Sequence, residues 1–386
     1  MEKLKVLFLP AWYPSKFNKV GGVFVREHAK TLHQKVELAV FHVCEHPYLR
    51  KLYEFETVIE DGILTYRIYY RKFSTKWLKP ISILFFALAV VIGYQKVYRK
   101  FKPTLNHVHV LTRMGVIALL AKIIYRTPFV ITEHWSRYLP ERNTYKGLFR
   151  KVLTKAVVKK SSGLSTVTQN LKVAMQLHGL IHHHFQVIPN VVNTDLFKPS
   201  NQVKEDFVFL HVSGLNDEVK NVSGILRAFS EFLNQKDALN TKLVIVGDDD
   251  LERPVLESYA EKLELTENVS FIGKKYNKDL VNEYQQANAF VLFSNFENQP
   301  CVILEAMSCG LPIISSSVGG ISEIIDEKVG VLVEARNEQS LQEAMQGMYY
   351  KYGTYNGDLI RETAIESFAY YAVSSKLISF YNLALA

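Results

Sequence analysis

Residues 290–320 read FVLFSNFENQPCVILEAMSCGLPIISSSVGG and set two carboxylates, Glu297 and Glu305, with seven residues between them. Glu297 closes a strand-like apolar run, Ala289–Ser294. Glu305 falls about two turns into a helix expected to start near Pro300, whose fixed φ suits the first helical position. That helix would aim free N–H groups and its positive dipole end at whatever the acids hold. Two carboxylates beside an anion-binding helix end suit a sugar nucleotide. One acid takes ribose hydroxyls, the other the sugar, and the helix end the diphosphate. A bare pair of acids at this spacing says little. Pro300, Leu304-Glu305-Ala306, Gly310-Leu311-Pro312 and Gly319-Gly320 around it make the pattern specific.

Further candidates lie elsewhere. Gly21-Gly22 follows a first apolar run and precedes a helical stretch, Val23–Leu32; glycines there let backbone N–H groups approach a phosphate, or simply make a turn. Lys220 follows a loop that begins at Ser213 and either neutralises a leaving diphosphate or stands in solvent. Thr132-Glu133-His134-Trp135 closes another apolar run, and a histidine there serves a sugar hydroxyl, takes an acceptor proton, or is structural. His109 ends a run in the same way. Asp248-Asp249-Asp250 looks like a metal-binding triplet but follows a strand as a turn would, and His182-His183-His184 cannot converge on one ion in regular structure. No metal site is expected.

These groups are placed by short apolar runs alternating with amphipathic stretches, the mark of parallel sheets with crossover helices. In the first half the strand candidates are Val6–Leu9, Val36–Phe41, Leu105–Val110, Phe129–Thr132 and Leu164–Val167, with Ile63–Tyr70 as an edge strand. The second half offers Phe207–Val212, Leu243–Val246, Val269–Ile272, Phe290–Phe293, Pro312–Ser315 and Val331–Val333. Pro189–Asn201 is the expected linker. An α/β chain of 386 residues built this way divides into two Rossmann-like, doubly wound domains facing a central cleft. The expected boundaries are 1–190, 191–365, and a terminal helix over 366–386 packing back on the first domain.

The net charge of +8 is unevenly spread. Residues 1–200 carry 31 Lys+Arg against 11 Asp+Glu, and residues 201–386 carry 15 against 27. So basic a half suits an anionic partner, and an anionic membrane surface is kept as one. Nucleic acid is not, for want of any recognised motif. Ile81–Tyr94, ISILFFALAVVIGY, is apolar over 14 residues, short of the roughly 20 that span a bilayer, and is flanked by Arg71, Lys72, Lys76, Trp77, Lys79, Lys96, Arg99, Lys100 and Lys102. Two readings stand side by side: a buried helix, or one whose apolar side enters the lipid interface. Three cysteines, Cys44, Cys301 and Cys309, show no framework spacing, and Val6–Leu9 meets Pro10 too soon for a signal peptide. A cytoplasmic protein, peripheral on the inner face of the plasma membrane, is expected.

The 290–320 segment resembles the signature of the family-four retaining glycosyltransferases, which have the GT-B fold. The resemblance extends to 189–199 (PNVVNTDLFKP), 208–229 (VFLHVSGLNDEVKNVSGILRAF), 242–248 (KLVIVGD) and, more loosely, 9–29 (LPAWYPSKFNKVGGVFVREHA). It implies sugar transfer from a nucleotide diphosphate donor to an acceptor hydroxyl, with retention and without a metal or other cofactor. The acceptor is expected to be a glycan or lipid-linked sugar of cell-surface polysaccharide assembly. It assigns catalysis to Glu297, His134 and Lys220, and donor binding to Gly21, Gly22, Ser213, Lys220, Asn298, Pro300, Cys301 and Glu305. Glu297 would meet the transferred sugar and Glu305 the ribose; His109 and Glu133 are carried as acceptor-side residues. Where most members have an arginine shortly before Lys220, this loop offers Gly214 or Leu215; Asn221 and Asn298 replace glycines. A sugar-nucleotide epimerase and a non-catalytic sugar-nucleotide-binding membrane scaffold are the alternatives.

Overall fold

The computed structural model describes residues 3–46, 48–73, 75–200, 204–234 and 240–386. Asn201, the far end of the expected linker, and the side chain of Lys76 lie outside them. The first half forms strands β1 (Lys5–Pro10), β2 (Glu37–His46), β3 (Tyr53–Glu60), β4 (Ile63–Arg71), β5 (Leu105–His109), β6 (Phe129–Glu133), β7 (Gly163–Thr166) and β8 (Phe185–Val187). Its helices are α1 (Val23–Leu32), α2 (Lys79–Phe101), α3 (Thr112–Tyr125), α4 (Leu148–Lys160) and α5 (Gln169–Leu177). The strands lie in the order β3-β4-β2-β1-β5-β6-β7-β8, parallel except for the β3–β4 hairpin. β1, β5 and β6 are buried on both faces because helices cover both sides, which is why β1 and β6 read as mainly apolar runs rather than alternations, while β5 carries the buried polar residues Asn106, His107 and His109.

The second half forms β9 (Phe207–Val212), β10 (Thr241–Val246), β11 (Val269–Phe271), β12 (Ala289–Leu292), β13 (Ile313–Ser316) and β14 (Gly330–Val333). They make a fully parallel sheet, β11-β10-β9-β12-β13-β14. Around it lie α6 (Asp217–Lys220), α7 (Val222–Leu233), α8 (Glu252–Lys262), α9 (Asn277–Gln286), α10 (Cys301–Ser308), α11 (Glu338–Lys351) and α12 (Gly357–Phe368). A last helix, α13 (Tyr370–Leu385), returns to the first sheet, where Phe380 and Tyr381 are buried with Val6, Phe8 and Leu32. In both sheets strand order reverses beside the first strand, between β1 and β5 and between β9 and β12. Crevices at such switch points are where open α/β sheets bind ligands.

The structure corrects several expectations. Ile63–Tyr70 is not an edge: β3, an acid-and-apolar alternation that was overlooked, covers it, and β4 is buried along most of its length. β8 is a further unpredicted strand. Pro300 is the N-cap with extended backbone rather than the first helical residue, and Glu305 is the fifth residue of α10, little more than one turn in. α2 runs 23 residues, nine beyond the apolar stretch. It is buried on one side and open on the other: Ala89, Val90, Gly93, Tyr94, Val97 and Phe101 are buried, while Ile81, Ile83, Leu84, Leu88 and Val91 are exposed.

Candidate active site

A cleft of about 1380 Å³ runs between the two sheets, lined from one side by α1 and the ends of β1 and β6 and from the other by the loops after β9, β10 and β12. The 294–300 loop is fixed at its centre. Lys220 Nζ donates to Glu297 Oε1 at 2.5 Å, and Ser294 Oγ donates to the same oxygen at 2.9 Å. The backbone N–H of Asn295 donates to Val219 O, so the loop bearing the acid and the helix bearing the cation are held together. Gly319 allows this path: it sits at φ 57°, and a Cβ there would come within 2.1 Å of Glu297 O. The paired glycines of the signature are thus a packing requirement of the acidic loop.

Glu305 accepts from Tyr284 Oη at 2.8 Å. Burial, aided by Glu27 on α1, pushes its carboxyl up to about 7, although the Tyr284 bond opposes the shift. Cys301, in the first turn of α10, also lines the cleft, and burial raises its thiol far above the ordinary range. Ser213 lies there too, but its hydroxyl is engaged by His211 Nε2 at 2.8 Å and by the N–H of Leu215 at 3.1 Å. Leu215, one of the two residues offered in place of an arginine, turns through φ 56° and buries its side chain in the core. The cations that do line the cleft, besides Lys220, include Arg26, Arg142, Lys274 and Lys275. Arg142, from the first domain, lies over the ring of Phe296 at 4.9 Å, next to Glu297. Asn221 adopts φ 50°, the left-handed turn that explains why glycine is usual there and why asparagine is tolerated.

The first-domain assignments change more. Glu133 is wholly buried and accepts backbone N–H bonds from Leu111, His134 and Trp135 at 2.9–3.0 Å, so it shapes loops and does not meet an acceptor. His109 is also wholly buried and does not line the acceptor side. Its Nδ1 lies 3.1 Å from His134 Nε2. His134 Nδ1 lies 3.1 Å from Asn190 Oδ1, an acceptor, so Nδ1 carries the proton and Nε2 accepts from His109. Both ring nitrogens of His134 are therefore occupied, and burial holds the ring well below its usual pKa, neutral at physiological pH. It lines the cleft without a free nitrogen for an acceptor proton. Asn298 is a clasp: its Nδ2 donates to His134 O at 2.8 Å, and its Oδ1 accepts from Thr168 at 2.7 Å. Asn190 Nδ2 donates to Gln299 O at 2.9 Å beside it. Gly22 starts α1 at φ 74° with no side-chain cap, and Asn18 Oδ1 takes the N–H of Gly21 at 2.8 Å.

Sequence reasoning missed Trp12 and Trp135, whose rings meet edge to face at 4.9 Å on the cleft wall. Each follows a strand closely, after β1 and β6, which is the signal that could have found them. The acidic triplet is structural: Asp249 accepts the N–H groups of Leu251 and Glu252 at 3.0 and 3.1 Å, and Asp248 faces Arg253. His182 is held between the carbonyls of Ser161 and His184. Among the described residues no three His, Cys, Asp or Glu side chains gather as a metal site.

Two facing Rossmann-like domains with an acid–lysine pair in the cleft define a GT-B glycosyltransferase. The sequence matches Glycosyl transferases group 1 over residues 192–352 and Glycosyltransferase Family 4 over residues 21–196. It is 25% identical over 361 residues to TuaC of Bacillus subtilis (strain 168), a glycosyltransferase provisionally named for teichuronic acid biosynthesis, covering 89% of this chain and 88% of that one. The fold is similar to sucrose-phosphate synthase (tll1590) from Thermosynechococcus elongatus, with TM-score 0.77, 18% identity and 99% of each chain covered. Anabaena Alr3699/HepE in complex with UDP and glucose aligns with TM-score 0.75 and 18% identity over 98% of this chain and 99% of that one. The chain belongs to the family-four glycosyltransferases of the GT-B fold.

Proposed function

We propose that the protein transfers a sugar, with retention and without a metal ion, from a nucleotide diphosphate sugar to an acceptor hydroxyl in cell-surface polysaccharide or lipid-linked glycan assembly. The observation that carries this reading is the Lys220–Glu297 pair, set in the interdomain cleft beside α10 and Glu305. Lys220 moves onto the diphosphate when the donor arrives and stabilises the charge that grows on it as the bond to C1 breaks. Glu297, released, accepts from hydroxyls of the transferred sugar, and Glu305 from the ribose. The acceptor oxygen bonds to C1 on the face the phosphate leaves, and its proton passes to the departing phosphate oxygen. This route needs no protein base, in keeping with a His134 ring whose nitrogens are both engaged. Family membership favours transfer over epimerisation, and the HepE complex with UDP and glucose supports a nucleotide donor. The polysaccharide context draws on the name of the Bacillus subtilis relative. The place of action is the cytoplasmic face of the plasma membrane.

Thermal-shift screening against nucleotides and nucleotide sugars tests the donor, followed by product NMR with an acceptor panel. Stabilisation by a nucleoside diphosphate and a product with the donor's anomeric configuration are expected. Epimerised donor formed without any acceptor, or donor binding with no turnover across the panel, would overturn the reading.

A further inference from the structure

Beside the cleft, and sharing Trp12 and Trp135 with it, lies a second cavity of about 780 Å³ at the ends of β1, β2, β4 and β5. Three guanidinium groups line it: Arg113 from α3, Arg137 after β6, and Arg150 from α4. Among the described residues none of the three has a carboxylate within 4.0 Å. Glu45, the acid on the cavity wall, is already held by Lys72 at 2.5 Å and accepts from Tyr70 Oη at 3.3 Å. Arg137 sits over Trp135, 3.5 Å from the ring centroid, with a buried Nε that has no partner. Arg113 is set over Phe86 at 5.2 Å. Three guanidinium groups without a carboxylate partner, two of them set against rings, gather donor forks in one cavity, the geometry that reads phosphate.

The outer wall of the cavity is apolar. It includes Phe86 of α2 and Phe149 and Leu153 of α4. Around it the surface stays apolar and open: Leu148 and Phe149 are about 80% exposed, and Val152, Ile83 and Leu84 more than half exposed. Lys146, Arg150 and Lys151 border the α4 part of this face and are exposed as well. An apolar surface edged with basic residues is the composition of an interfacial contact.

Resting on the transferase reading above, we propose that this cavity is the acceptor's phosphate subsite and that the acceptor is a lipid phosphate. Trp12 and Trp135 bear the sugar that receives transfer, at the junction of the two cavities. Arg113, Arg137 and Arg150 hold the phosphate next to it. The lipid chain leaves past Phe86 and Phe149 onto the exposed face of α2 and α4.

The test is co-flotation of the full chain with phosphatidylcholine vesicles, plain or doped with an isoprenyl phosphate or with phosphatidylglycerol, and thermal shift with inorganic phosphate and pyrophosphate. The wild-type protein is expected to float at least tenfold better with isoprenyl phosphate than with plain vesicles, and better than with phosphatidylglycerol. Arg113→Gln/Arg150→Gln should lose that preference. Stabilisation by a nucleoside diphosphate, read on the same samples, should persist in the variant; this shows a folded protein and separates failure of the subsite from failure of the donor reading. Equal flotation of wild type and variant on isoprenyl phosphate overturns the subsite. Equal flotation on both anionic vesicles overturns it in favour of a general charge effect. Stabilisation by free phosphate that the variant loses, with no vesicle preference, overturns the lipid and indicates a soluble phosphorylated acceptor.

Discussion

If Glu305 holds the ribose diol, donor binding must take a proton off it. The carboxyl sits at about 7 in the free protein, because burial and Glu27 oppose its charge more than Tyr284 supports it. A ribose diol donates to the ionised form, so the apparent affinity falls by the fraction of protein still protonated. With a pKa of about 7 that penalty is about elevenfold at pH 6 and about 1.1-fold at pH 8, a difference of about tenfold, or roughly 1.4 kcal/mol. The nearby histidines do not blur the measurement. Burial depresses His28 to about 4, and His109 and His134 lie well below 6.5, so all three stay neutral across this range. A nucleotide diphosphate sugar has no group of its own titrating there, unlike a free nucleoside diphosphate. Calorimetry with such a donor, in buffers of differing ionisation enthalpy, should show affinity rising about tenfold from pH 6 to 8 and about half a proton released at pH 7. Glu305→Gln should flatten both, while weakening binding at pH 8 by about 1.5–3 kcal/mol, the worth of hydrogen bonds to a charged acceptor. The stability linkage has the opposite sign to that of an ion-paired carboxylate. A raised pKa gives stability that is complete below about pH 4.5 and is lost as pH rises through about 7, so the unliganded glutamine variant should lose less stability than wild type between pH 5 and 8. Affinity independent of pH in the wild type, or the same slope surviving in Glu305→Gln, would refute the reasoning.

Glu297→Gln should lower turnover far more than donor affinity, since it removes a carboxylate from the transferred sugar; comparison of kcat with calorimetric affinity reads the split, and equal losses would remove that role. Lys220→Ala should cost on the order of 10²-fold in kcat, because a missing donor in a preorganised site is poorly replaced by water. Gly22→Ala should destabilise the protein by at least about 1 kcal/mol, because a Cβ would lie 2.2 Å from Trp12 O at φ 74°; denaturant unfolding measures it, and an unchanged midpoint would contradict the packing. Transfer should survive complete chelation of divalent metals, as assayed with and without a strong chelator; strict dependence on manganese or magnesium would require a different account of leaving-group stabilisation.

Much of this was legible in the chain. Parallel strands covered on both faces are rich in apolar residues, so β1, β6 and most strands of the second sheet announce themselves as short runs. The α1 boundaries, Val23–Leu32, follow from a glycine start and a helical period. The acidic signature brings its own context, because Gly319 and Glu297 pack against each other within one segment. β3 was missed because a strand covering an edge alternates acid with apolar residues and has no run to detect. What tertiary structure alone decided are partnerships between distant positions. The amide of Asn298 reaches His134 across 164 residues, and His134 reaches Asn190 across 56. Those bonds turn a predicted donor-binding residue into a clasp and engage the ring nitrogens of a predicted proton carrier. Leu215 could have presented an apolar side chain to the cleft; its left-handed turn sends it into the core. Periodicity and turn chemistry are set by neighbours along the chain, whereas which nitrogen stays free, and how far a carboxyl is lifted, depend on what the closed fold brings against it.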